Sequence, residues 1–193
     1  MDSTRLHVKF YAEPSAIRLE AFVPIFHRWI RDQVLSELMI DVVDYGHVAD
    51  GPGIVLIGHG SDYYVDCGEG RLGLLYSRKR AGPAPSERLA DAFRRALNAC
   101  RLLEQEKELH APLKFRTDEV LLRVPDRLRA ENSEAGFTSL RSELAPFLER
   151  LYGAPVNVER TGGDKDPLSA RVRAGSAPGL TALLERLGGV PAD

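Results

Sequence analysis

The segment from Ile54 to Arg80 most constrains this chain, because turn chemistry and a period-two apolar pattern agree within it. Gly60-Ser61 fits a two-residue type II′ hairpin turn, which needs glycine first. Glu69-Gly70 fits a second two-residue turn. With both turns in place, His59 faces Asp62, Ile57 faces Tyr64 and Val55 faces Asp66. In the next pair Val65 faces Leu74, Tyr63 faces Tyr76 and Cys67 faces Leu72. The two registers, set independently, select one apolar face: Ile54, Leu56, Tyr63, Val65, Cys67, Leu72, Leu74 and Tyr76. A one-residue slip would exchange the faces, so a three-stranded meander over 54–78 is expected.

The remaining elements follow from periodicity and punctuation. Leu6 to Tyr11 alternates as a first strand, and Met39 to Tyr45 is a short apolar strand. Ile17 to Gln33 has helical spacing, with Pro24 predicting a kink or a second start. Ser86 is the expected cap of a helix reaching Glu106, whose stripe is Leu89, Phe93, Ala96, Leu97, Cys100 and Leu103. Val120, Leu122 and Val124 mark a strand, and Phe137 to Tyr152 a helix stopped by Gly153. Val156 to Arg160 and Leu168 to Ala174 are strands before a final helix carrying Leu180, Leu183, Leu184 and Leu187. The expected fold is therefore α+β, an antiparallel sheet with the meander at its centre and helices on one face. The halves divide near residue 110, giving 1–110 and 111–193. Their common order, strand-helix-strands-helix, and their proline-bearing helices are compatible with a tandem duplication. The two halves can still form one compact domain.

A chain of 193 residues can bury a core without disulfides, and its two cysteines can form neither a disulfide framework nor a four-ligand zinc site. Both cysteines fall on expected apolar faces. The formal charge of −2 gives no basic field for nucleic acid or membrane. No apolar run is long enough to span a bilayer, and no signal-peptide pattern opens the chain, so a cytoplasmic protein is expected.

The reverse face of the meander carries the functional question. Its members are Val55, Ile57, His59, Asp62, Tyr64, Asp66, Gly73, Leu75 and Ser77. A sheet covered on one side should be polar on the other, yet this face is mixed. Such a face is usually covered by a second copy, another segment of the chain or a ligand. His59 opposite Asp62 has the composition of a base with its orienting carboxylate, or of a turn-closing hydrogen bond. Asp41, Asp44, His47, Asp50, His59, Asp62 and Asp66 crowd one stretch, but their spacing matches no metal signature and turns also select Asp. Gly68 to Gly73 reads GxGxxG, but within an antiparallel hairpin rather than before a helix, so no dinucleotide cofactor is expected. Arg171 and Arg173 read as the wet side of an edge strand.

The sequence thus points to a non-enzymatic interaction or assembly protein. It would associate with itself as a homodimer, or with another protein, through Val55, Ile57, His59, Asp62, Tyr64, Asp66 and Leu75. No catalytic residue, cofactor or metal is expected. One alternative is a small-molecule or metal-dependent enzyme, or a ligand-binding protein, using His59, Asp62, Tyr64 and Asp66. Another is RNA binding through Arg78, Lys79 and Arg80. The local order α-β-β-β-β-α resembles that of double-stranded-RNA-binding domains, although the net negative charge opposes phosphate binding.

Overall fold

The computed structural model describes residues 4–80, 82–163 and 165–189. Its elements run β1 (Leu6–Ala12), α1 (Phe22–Arg31), β2 (Met39–Asp44), β3 (Ile54–Gly58), β4 (Ser61–Asp66) and β5 (Gly73–Arg78). Then come α2 (Arg88–Glu104), β6 (Phe115–Val124), α3 (Glu134–Tyr152), β7 (Val156–Thr161), β8 (Leu168–Ala174) and α4 (Leu180–Arg186). The strands form one antiparallel eight-stranded sheet, ordered β2-β3-β4-β5-β1-β6-β8-β7. The two halves meet at the β1–β6 pair, and each runs strand, helix, strands, helix.

The alternation along each strand decides which side meets the helices. Leu6, Val8 and Phe10 of β1 point to the helical side with Ile54, Leu56, Tyr63, Val65, Leu74 and Tyr76. Val120, Leu122, Ala170 and Val172 continue that layer across the second half. Against it lie the buried stripes of α1 (Phe22, Ile25, Phe26, Trp29) and α2 (Leu89, Phe93, Ala96, Leu97, Cys100, Leu103). Phe93 joins the halves, edge-on to Phe10 at 6.1 Å and to Phe147 of α3 at 5.1 Å. Among the described residues, no helix is long and apolar enough to cross a membrane.

The second meander turn is as expected: Val65 faces Leu74 and Tyr63 faces Tyr76. Glu69 and Gly70 both take positive φ, as a tight twisted turn requires. Cys67, however, leaves the ladder and is exposed. The first turn differs from expectation. Ile57 faces Asp62 and Val55 faces Tyr64, a shift of two residues that leaves His59 and Gly60 in the bend. A two-residue shift preserves the faces, so the apolar side survives. The bend is fixed from outside. His59 N donates to Leu38 O, Lys79 and Arg80 amides donate to Gly60 O, and buried Ser61 donates its hydroxyl to Glu37 at 2.5 Å.

Helix ends moved too. α1 begins at Phe22 after a short 3₁₀ turn, which puts Pro24 in its first turn, where its missing amide costs nothing. Ser86 caps no helix; it lies inside a 3₁₀ turn, Pro85–Glu87, that precedes α2. Ser133 caps α3 by accepting from Gly136 N, and Gly153 closes it in the left-handed region. β8 is an inner strand, so Arg171 and Arg173 do not mark an edge; β2 and β7 are the edges.

Candidate functional site

The reverse face is read from the register as rows of side chains crossing the sheet. The middle row is Val43, Val55, Tyr64, Leu75, Lys9, Leu121, Arg171 and Glu159. Beside it run Asp41, Ile57, Asp62, Ser77, His7, Arg123 and Ser169. On the other side Asp66 faces Gly73, which faces Tyr11. The structure therefore brings Val55, Ile57, Asp62, Tyr64, Asp66 and Leu75 onto one surface, and leaves His59 exposed in the bend.

That surface has two unlike parts. Over β1, β6 and β8 it is closed by the chain itself, because residues 67–72 fold back across it. The Arg71 guanidinium stacks 3.8 Å from the Tyr11 ring centre, and Tyr11 is fully buried. Tyr11 Oη donates to Glu69, Arg71 holds Glu119 through two bonds of 3.0 and 3.1 Å, and Arg171 bridges Glu69 and Glu119. Lys9 donates to Asp66 at 2.5 Å, and Asp66 also accepts from Gly68 N. A Cβ on Gly73 would lie 2.7 Å from Lys9 Cε, so glycine there lets the lysine cross the sheet. Burial pushes the Tyr11 phenol up, and Glu69 adds to it. The bonds from Arg71, against an opposing desolvation, keep the Glu119 carboxyl below its ordinary range. Lys9, Tyr11, Arg71 and Glu119 escaped the sequence reading because their partners come from distant strands. The alternation of His7, Lys9 and Tyr11 was the only signal.

Over β2 to β5 the surface is apolar and partly open. Val55 is buried, whereas Val43, Ile57, Tyr64 and Leu75 remain part-exposed. Asp62 accepts from Gly58 N at 3.2 Å, from Tyr64 Oη at 3.4 Å, and pairs with Lys79 at 2.6 Å. Burial and then Asp62 push the Tyr64 phenol up to about 12. His59 does not meet Asp62, so no base with an orienting carboxylate is formed. Among the described residues, no group of three His, Cys, Asp or Glu side chains could hold a metal ion. Of the basic run, Arg78 is buried against Asp91, Lys79 is paired with Asp62, and Arg80 is exposed.

A second polar cluster lies on the helical side. Glu37 accepts from Ser61 and from Tyr63, each at 2.5 Å, and pairs with Arg95 at 3.3 Å; Arg95 also holds Asp91. Burial, then Glu37, raises the Tyr63 phenol well above its ordinary value. Glu37, Ser61, Tyr63, Arg95 and Asp91 satisfy one another, while Arg78, which also holds Asp91, keeps its Nη1 buried without a partner. Comparison with protein-family models finds no match, and neither does comparison with curated proteins.

Proposed function

We propose that this protein works by association, as a cytoplasmic, non-enzymatic module whose contact surface is the β2–β5 part of the reverse face. One observation carries this reading. Four of the five large apolar side chains that stand exposed among the described residues, Leu38, Ile40, Tyr45 and Val48, fall within one short stretch around β2. The same strand carries the part-exposed Val43, which continues through Val55 into the row of part-exposed Tyr64 and Leu75 on the reverse face, while the charged part of that face is closed by its own chain. Concentrated exposed apolar surface of this kind marks a contact site. The simplest occupant of the Tyr64 surface is a second copy, related by a two-fold axis. Light scattering across roughly 1–100 µM should give a dimer, and Tyr64→Asp should shift it to monomer with the circular dichroism spectrum unchanged. A wild-type protein that stays monomeric throughout that range would overturn self-association.

A further inference from the structure

The two edges of the sheet are treated differently. β7 ends the sheet with Asn157 and Glu159 bonded to each other and Arg173 on Glu159, a polar and charged edge of the kind that resists pairing. β2 ends it with Ile40 more than half exposed, Leu38 more so, and no strand on its outer side among the described residues. A bulge between Met39 and Asp41 interrupts its pairing with β3. At its start a cavity of about 570 Å³ opens, lined by Trp29, Ile30, Leu35, Leu38, Met39 and Glu37, among others.

Charge identifies what fits there. Between Arg31 and Arg71 the chain carries eight carboxylates and no lysine or arginine, and this stretch contains all of β2, β3 and β4. The cations that reach the flank are already engaged: Lys79 by Asp62, Arg95 by Glu37 and Asp91, and Arg31 by Asp32. Asp41, Asp44 and Asp50 form no ion pair among the described residues. A second copy set edge to edge about a two-fold axis would bring these carboxylates against themselves, which disfavours it.

We infer that the β2 edge accepts an extended segment of another protein in which apolar and basic residues alternate. Main-chain bonds to β2 would add a ninth strand. Apolar side chains would cover Ile40 and enter the cavity beside Trp29, and lysines or arginines, alternating onto the reverse face, would meet Asp41. This rests on the reading of the protein as an association module, but not on its dimerisation.

The probe is a labelled synthetic octapeptide of alternating lysine and valine, followed by fluorescence anisotropy and by amide hydrogen exchange of the full chain. It should bind the wild-type protein, weaken as salt rises, and protect amides within 39–44. A glutamate–valine peptide should bind roughly tenfold more weakly or worse. The double variant Ile40→Lys with Asp41→Lys should reverse that preference. Tyr64→Asp should split the dimer and leave peptide binding unchanged, so the two readings fail separately. Equal binding of both peptides, protection away from β2, or β2 amides already protected by a second copy would each overturn the inference. If the double variant does not fold, the wild-type exchange map decides alone.

Discussion

A single side chain shows how the reverse face differs from an ordinary wet sheet surface. His7 stands between Ser77 and Arg123, its Nδ1 buried without a partner. Burial, helped by Arg123, lowers its pKa from 6.5 to about 4. The folded protein therefore holds it neutral at pH 7, whereas the unfolded chain takes up a proton near pH 6.5. Stability from this group is complete above that pH and declines as pH falls toward 4, by about 3 kcal/mol in all. Chemical denaturation at pH 7 and pH 4 should show wild type losing about that much more stability than His7→Gln. Equal losses would mean that His7 is protonated in the fold. Glu119 makes the opposite case. It is a buried carboxylate bound by Arg71 and Arg171; Arg171 keeps Glu69, but Glu119→Ala takes from the part-buried Arg71 its carboxylate partner and should cost about 2 kcal/mol.

At the scale of the element, glycines at equal φ separate strain from collision. Gly53, at φ 69°, leads into β3, and a Cβ there would lie 2.1 Å from Val65 O. Gly70, at φ 68°, has nothing within 4 Å of such a Cβ. Gly70→Ala should thus cost about 1 kcal/mol, the left-handed penalty alone. Gly53→Ala should cost at least about 2 kcal/mol more, since the β3–β4 pair must move. Urea midpoints of the two variants test this, and similar losses would contradict it. The same elements mark how far the sequence was legible. The Glu69-Gly70 turn was readable because its chemistry is local: both residues sit at positive φ in a hairpin. The faces of the meander were readable because alternation survives a two-residue shift. The bend at His59-Gly60 was not, because Leu38, Lys79 and Glu37 fix it from elsewhere in the chain. The closing of the charged surface was hidden for the same reason. Arg71 finds Glu119 only once β1 and β6 have paired, and no spacing in the sequence records that pairing.

At the scale of the molecule, the pairing of β1 with β6 decides whether the halves 1–110 and 111–193 can stand alone. β1 lies between β5 and β6, so a fragment ending at 110 would turn this inner strand into an unpaired edge. Phe93 would lose Phe147, and α2 would lose α4 and the Leu187 carbonyl at its end, which accepts from Arg94. On the reverse face Arg71 and Glu69 would be parted from Glu119 and Arg171. The second half would fare worse, having three strands and β6 newly at an edge. Common element order therefore does not make the halves independent, whatever their origin. Expressed separately, neither 1–110 nor 111–193 should unfold cooperatively, and mixing them should restore a cooperative transition and protection of the β1 and β6 amides. If 1–110 alone gave a sharp transition with the stability of the whole, the seam would be a junction between self-sufficient units, and the charged network across it would be only a surface contact.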